Sequence, residues 1–394
     1  MSRSYTYTKA SPTGQDQDVD LRRTATDQNG AVTTYGYDAV NRLCSVYAGT
    51  TTSVGCTAPA GATTYAYDPS GNRTATRNPA GAVTSYGYND ANQLCWKAAG
   101  AQTGSACPAP AGATTYAYDP NGNLTSSSAG FSATVNDARN QTTSMTAPGQ
   151  FPTTFAYADV GQDERTVAGS SSFLNGLLGV GSGAFGAYFT REPNGSLVSM
   201  RSGSTSLYYT TDALGSVVAL TADNGTYDFA IYTYDAYGNL TSPPPTGMGA
   251  VNPWRFAGGY FDKDTGLYKF GARYYDATLG RWTQQDPSGQ DANSYAYVGG
   301  DPVNSVDPTG LSFWSDVGGA IGAGAFATIG IALCPATAGI GCAVVAGGLG
   351  GALGGGLGTK AFGGSDRDVK RNSALGGIGG AAGGLASGIK FIPR

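Results

Sequence analysis

An all-β fold of antiparallel strands is predicted by three features of the sequence. The first is an internal repeat. Residues 30–80 and 81–131 align without gaps at a period of 51, with 29 identities. The second is the unit inside each copy. Thr63-Thr-Tyr65-Ala-Tyr67 alternates its side chains between two faces, as a half-buried strand does. Asp68-Pro-Ser-Gly71-Asn72 follows as a turn, with Asp first, Pro pre-set second and Gly fourth. The third is composition: 62 Gly and 25 Tyr in 394 residues, with 13% charged residues against about 25% in ordinary soluble domains.

The elements follow in chain order. Met1-Ser-Arg-Ser-Tyr-Thr-Tyr-Thr-Lys9 has no apolar run after its basic residue. It therefore does not read as a secretory signal, and resembles a repeat already under way. The expected location is secreted or cell-surface by a route that reads no Sec signal, or within a larger exported protein. Strand-turn units then recur at Tyr35-Gly-Tyr37-Asp38, Tyr65-Ala-Tyr67-Asp68, Tyr86-Gly-Tyr88, Tyr116-Ala-Tyr118-Asp119 and Tyr232-Thr-Tyr234-Asp235. One unit cannot bury its aromatic face alone, so Tyr67, Tyr118 and Tyr234 are expected to pack against neighbours. Cys44 and Cys56 are repeated at the same spacing by Cys95 and Cys107. Each pair fits a disulfide closing a hairpin loop, given an oxidising destination. The alternative is four thiols whose spacing only reflects duplication. Cys334 and Cys342 form a third candidate pair.

Composition also excludes chemistry. The chain has no His, so it has no Ser-His-Asp triad and no His-ligated metal site. No cofactor and no metal are expected, since six Cys without a CxxC do not read as a metal site. A net charge of −4 gives no electrostatic footprint for nucleic acid.

The Tyr-x-Tyr-Asp-x-x-Gly-Asn units resemble the tyrosine-aspartate (YD) repeats of the RHS proteins and teneurins. The resemblance implies a spiral β-shell over residues 1–249. Residues 250–311 resemble the RHS repeat-associated core domain, through Asn252-Pro-Trp-Arg-Phe256, Gly271-Ala-Arg273-Tyr-Tyr-Asp276, Gly280-Arg-Trp282, Asp286-Pro-Ser-Gly289 and Asp307-Pro-Thr-Gly310-Leu311. That resemblance implies an aspartic-type self-cleaving activity that cuts after the final Asp-Pro-x-Gly-Leu, between Leu311 and Ser312. By motif, Asp286 is the catalytic carboxylate and Arg273 the essential arginine. Asp264 is the second carboxylate, with Asp262 as substitute. Two neighbouring carboxylates suit this chemistry, because they cannot both ionise: one activates water and the other donates a proton. The bland alternative is that these aspartates are turn residues only, since Asp-Pro-x-Gly occurs at 68–71, 119–122, 286–289 and 307–310.

Composition changes after Leu311. Residues 312–394 hold 24 Gly, and no residue is charged between Asp316 and Lys360. Small residues four apart allow close helix approach in lipid. The expectation is a helical Gly/Ala-rich tail with a membrane-active hairpin over 317–358, against a flexible linker. The leading function is RHS-type toxin delivery, with this tail as enclosed cargo. The alternatives are a surface adhesion or carbohydrate-binding repeat protein anchored by the tail, and an inert fragment of a larger RHS protein.

Overall fold

The structure is a computed structural model that describes residues 4–8, 21–27, 29–51, 55–130, 133–147, 149–158, 165–174, 179–182, 185–192, 195–224 and 230–311. The tail 312–394, with Ser312, Cys334, Cys342 and the apolar stretch 317–358, lies outside the described residues.

Three antiparallel sheets make up the described chain. Ten strands from Ser4–Thr8 to Leu124–Ser127 form the first, and eleven from Ala133–Asn136 to Ala230–Ile231 the second. In both, each strand pairs with the next in sequence. The third sheet has four strands: Tyr260–Asp262, Leu267–Phe270, Arg273–Asp276 and Arg281–Trp282. Among the described residues, helix is confined to Gly247–Val251 and the 3₁₀ turns Phe256–Gly258 and Val298–Gly300. None of these is long and apolar enough to cross a membrane.

The repeat turn explains itself atom by atom. Asp68 Oδ1 accepts the Asn72 N–H at 2.8 Å, while the Asp68 N–H donates to the Asn72 carbonyl at 2.9 Å. Gly71 takes a φ of +83°, and the register slips at Tyr67. This is a tight turn closed by a bulge, the geometry that three-residue hairpin loops adopt. Asn41, Asn92 and Asn140 fill the left-handed position elsewhere, at φ of 67°, 59° and 66°.

The second tyrosine of each unit ties one turn to the last. Tyr37 donates its hydroxyl to the Arg22 carbonyl at 2.7 Å, Tyr67 to Leu43 at 2.7 Å, Tyr88 to Arg73 at 2.9 Å and Tyr157 to Thr142 at 2.9 Å. Every acceptor lies at the start of the preceding strand. Burial pushes the pKa of Tyr37, Tyr67 and Tyr88 up, so each remains a neutral donor. Disulfides Cys44–Cys56 and Cys95–Cys107 close the loops after strands Leu43–Ala48 and Leu94–Ala99.

Residues 252–311 lie along the row of turns, running opposite to it. Asn304 accepts the Arg22 N–H at 2.7 Å, Asn293 donates to Asn72 at 2.8 Å, and Tyr295 donates to the Gly122 carbonyl at 2.6 Å. Further on, Tyr274 meets the Tyr157 hydroxyl at 2.8 Å, Asp262 binds Arg165 at 2.8 Å, and Trp254 packs edge-on against Phe189 at 5.6 Å. From repeat residue 22 to 189 the partner in the segment moves overall from 304 to 254, with 293 and 295 at residues 72 and 122 out of strict order. The three tyrosines expected to pack against neighbouring units also meet partners farther along the chain. Tyr67 meets the Tyr237 hydroxyl at 2.6 Å, Tyr118 lies 5.8 Å from the Tyr295 ring, and Tyr234 lies 6.0 Å from Phe256.

The segment carries a large aromatic core. Phe256, Tyr268, Phe270, Tyr275, Trp282 and Tyr297 are buried in one cluster. Each contributes roughly 1.5–3 kcal/mol by transfer from water. That core fixes the hairpin that carries Arg273.

Candidate active site around Arg273

The strand Arg273–Asp276 returns from a hairpin turn at Gly271, and the segment 307–311 docks against that turn. The Ala272 N–H donates to the Thr309 carbonyl at 2.8 Å. A Cβ at Gly310 would sit 2.5 Å from the Phe270 carbonyl oxygen and 2.9 Å from Arg273 N, so only glycine allows this approach.

Arg273 is 1% exposed and stacks on Trp282 at 4.1 Å. Its Nε donates to the Gly310 carbonyl at 2.6 Å and its Nη1 to the Ser294 carbonyl at 3.1 Å. Its Nη2 donates to Asp307 Oδ2 at 3.0 Å and lies 3.7 Å from Asp291 Oδ2. Burial pulls its pKa down, and the charges of Asp307, Asp286 and Asp291 oppose that pull. Asp307 in turn holds residues 309–311. Its Oδ1 accepts Gly310 N–H at 2.9 Å, Leu311 N–H at 3.4 Å and the Thr309 hydroxyl at 3.1 Å.

Two carboxylates here sit in contrasting environments. Asp286 Oδ1 accepts Ser288 N–H at 2.9 Å; its Oδ2 accepts the Ser288 hydroxyl at 2.6 Å, Gln290 N–H at 2.9 Å and Asp291 N–H at 3.2 Å. Burial works to raise the Asp286 pKa. The Ser288 hydroxyl and N–H, the Arg273 charge and the Asp291 N–H outweigh it and hold the carboxylate below its ordinary value. Asp291 has no such donors: its oxygens are buried without a hydrogen bond. Burial pushes its pKa up to about 6, with the charges of Asp286 and Asp307 adding to the rise and Arg273 opposing it. A pair pushed apart in this way is what acid and base roles require.

Arg273, Asp286 and Leu311 thus meet in one place, with the Leu311 carbonyl oxygen 2.6 Å from Ser288 Oγ. Asp264 does not join them. It lies exposed in the turn between Tyr260–Asp262 and Leu267–Phe270, where its charge acts on Asp262 and Tyr260. Asp262 is engaged by Arg165 at 2.8 Å. The carboxylates that the structure places against Arg273 beside Asp286 are therefore Asp291 and Asp307, of which Asp307 holds residues 309–311. The available signal for Asp291 was local. In the repeat turn, Asn72 follows Gly71, whereas Gly289 is followed by Gln290 and Asp291.

Comparison with known proteins matches two stretches of the chain to families, one of which includes Arg273, Asp286 and Asp291. The teneurin YD-shell family matches residues 186–298, and the RHS repeat family matches residues 47–83 and 67–99. The tRNA3(Ser)-specific nuclease WapA of Bacillus spizizenii is 28% identical over 270 residues, covering 64% of this chain and 11% of the relative. Salivary gland surface protein 1 of Aedes aegypti is 41% identical over 81 residues, 21% of this chain and 2% of its own length. Toxin protein Tse5 of Pseudomonas aeruginosa is 42% identical over 69 residues, 17% of this chain and 5% of its own length. The chain therefore spans 11% or less of each of these relatives. Among solved structures, the Photorhabdus luminescens Tc holotoxin pore aligns over 80% of this chain and 18% of its own, at 15% identity and a TM-score of 0.49. The Tyr-Asp turns, the sequential antiparallel sheets and both family matches agree: residues 47–99 match RHS repeats and residues 186–298 match the teneurin YD-shell.

Proposed function

We propose that this chain serves RHS-type toxin delivery: its β-sheets shelter a C-terminal cargo, and the Arg273 cluster cuts the backbone between Leu311 and Ser312 to free it. One observation carries the reading. Arg273 and Asp307 grip Gly310 and Leu311 by their backbone atoms, at 2.6 Å and 2.9 Å for the closest contacts, beside two carboxylates of unlike basicity. Asp286, ionised, takes a proton from a water that attacks the Leu311 carbonyl carbon. Asp291, which holds its proton up to about pH 6, gives one to the departing Ser312 nitrogen. Holding the bond in cis supplies a high effective concentration, so weak contacts suffice.

The cargo is residues 312–394, and lipid is its partner through the uncharged stretch 317–358. Two of the similar proteins are named a tRNA nuclease and a toxin, which supports a toxin role. The surface-adhesion alternative needs an open tyrosine row to stack on carbohydrate. Tyr37, Tyr65, Tyr86 and Tyr88 are instead buried.

Denaturing electrophoresis with intact-mass measurement tests the cut. Two fragments should replace the 39.9 kDa chain, while gel filtration keeps one peak because the shell retains its product. A folded chain that stays at 39.9 kDa through long incubation makes this an inert RHS fragment. The peptide 312–394 should also partition into liposomes and release dye. A peptide that stays in the aqueous phase sinks the membrane role.

A further inference from the structure

We propose that Ser288 is a catalytic residue of the cut: its hydroxyl passes a proton between Asp286 and the Leu311 carbonyl oxygen. This rests on the reading that Asp286 drives cleavage after Leu311.

Ser288 Oγ lies 2.6 Å from Asp286 Oδ2 and 2.6 Å from the Leu311 carbonyl oxygen. Both spacings are those of O–H···O bonds. Three oxygens in a row leave two gaps, and a serine hydroxyl brings only one proton. Both gaps are filled only when a second proton sits on Asp286. The row is therefore satisfied in the protonated form of Asp286, which arises once that carboxylate has taken a proton from water.

Both ends of the row are fixed. Ser288 is held by its own turn, through its N–H on Asp286 Oδ1 at 2.9 Å and the Gly289 N–H on the Asp286 carbonyl at 3.2 Å. Leu311 is held by Asp307 Oδ1 on its N–H at 3.4 Å, and Gly310 by Arg273. The turn itself does not demand the hydroxyl contact. In the same tetrapeptide at Asp68-Pro-Ser70-Gly71, Asp68 Oδ2 takes the Asn72 amide at 2.9 Å. Ser70 there is exposed, and offers its carbonyl to Asn293 at 3.0 Å.

The step balances. Water adds its oxygen to the Leu311 carbonyl carbon and its proton goes to Asp286. The C=O π pair moves onto oxygen, which takes the Ser288 proton, and Ser288 recovers a proton from Asp286. The sum is water added across the carbonyl as a gem-diol, with Asp286 ionised and Ser288 protonated again. The C–N bond then breaks with its electron pair on the Ser312 nitrogen. That nitrogen gains a proton while one diol hydroxyl loses one, giving a Leu311 carboxylic acid and a free amine. Ser288 never bonds to carbon, so no acyl intermediate forms.

The test follows the full chain made as a labelled pulse in a cell-free system, with cleavage timed on denaturing gels across pH. Ser288→Ala should lower the pH-independent rate about 100-fold, the scale of positioned proton transfer. A plot of wild-type rate against the fraction of D2O should bow, because two protons move together, and should straighten in Ser288→Ala. If Ser288→Ala keeps the wild-type plateau and only its acid limb moves up in pH, the hydroxyl merely stabilises the Asp286 carboxylate and the proton role is wrong. A straight wild-type plot overturns it as well. A folded wild-type chain that is never cut fails the underlying reading instead, which separates the two.

Discussion

The tetrapeptide Asp-Pro-Ser-Gly occurs at 68–71 and again at 286–289. Both copies fold as the same turn. In each, the Gly N–H returns to the Asp carbonyl, at 3.1 Å and 3.2 Å, and the Gly sits at positive φ, +83° and +64°. They differ in what the carboxylate meets. Asp68 spends both oxygens on Asn72. Asp286 has Gln290 after its glycine, which reaches it through its backbone N–H, and its Oδ2 also takes the Ser288 hydroxyl and Asp291 N–H, beside a buried arginine. The turn is thus a neutral frame. At 286–289 the closing asparagine is missing and a second chain segment, Gly310–Leu311, is docked across the turn, which is where we propose the chemistry.

The largest expected effect breaks this contrast directly. Asp286→Asn should leave a single full-length band on denaturing gels, because an amide supplies no base. Asp68→Asn should be cut at the wild-type rate, although it weakens its own turn. Arg273→Ala should stop the cut and also destabilise the fold by about 3–5 kcal/mol, since Asp307 and Asp291 would lose their buried counter-charge. Equal cutting in Asp286→Asn and wild type would return Asp286 to the status of Asp68, a turn residue.

Much of this was written in the local sequence. The period of 51, the Thr-Thr-Tyr-x-Tyr strands and the Asp-Pro-x-Gly turns each encode contacts a few residues apart, and the sheets follow them strand by strand. That Arg273 and Asp286 lie together was legible through motif. That Asp291 rather than Asp264 lies beside them was not. Asp264 stands in an Asp-Thr-Gly sequence that makes an ordinary hairpin turn, and the turn points it to solvent. Asp291 stands in no motif. Its buried position comes from packing between residues 286–294 and 273; the local sequence records only that Gln290 and Asp291 stand where the repeat turn has its asparagine. The reverse docking of 304 to 254 along the row of turns is hidden for the same reason: it depends on pairs such as Asn293–Asn72, which are 221 residues apart.

Substitution at Asp291 sharpens the comparison through pH. Its folded pKa of about 6 is above its ordinary 3.8, so the folded state holds this proton more tightly than the unfolded chain. That contribution to stability is complete below about pH 3.8 and is lost as pH rises through 6. Asp291→Asn removes the loss. Its Tm relative to wild type should therefore climb from pH 4 to pH 8, while its cut slows for want of the acid. Asp264→Asn, at the exposed turn, should leave both the Tm profile and the cut unchanged. A flat Tm difference for Asp291→Asn would mean that Asp291 is ionised like any surface carboxylate, and the acid must be sought elsewhere.

The smallest expected effect concerns the asparagine whose absence distinguishes the two turns. Asn72 and Asn123 close equivalent repeat turns, each donating from Nδ2 to its own aspartate, at 2.9 Å and 2.8 Å. Asn72 Oδ1 also accepts the Asn293 amide at 2.8 Å, which ties the repeat row to the segment carrying the site. Asn123 Oδ1 is buried with no partner. Removing Asn72 breaks a satisfied bond, whereas removing Asn123 also relieves an unsatisfied acceptor. Asn72→Ala should therefore cost about 1 kcal/mol more than Asn123→Ala in urea unfolding. A double-mutant cycle of Asn72 with Asn293 should show a coupling of roughly 0.5–1.5 kcal/mol. Equal costs and no coupling would mean that the amide contact adds nothing to docking. The segment would then be held against the turns by its aromatic core and by Arg165–Asp262, and the closing asparagine would serve its own turn alone.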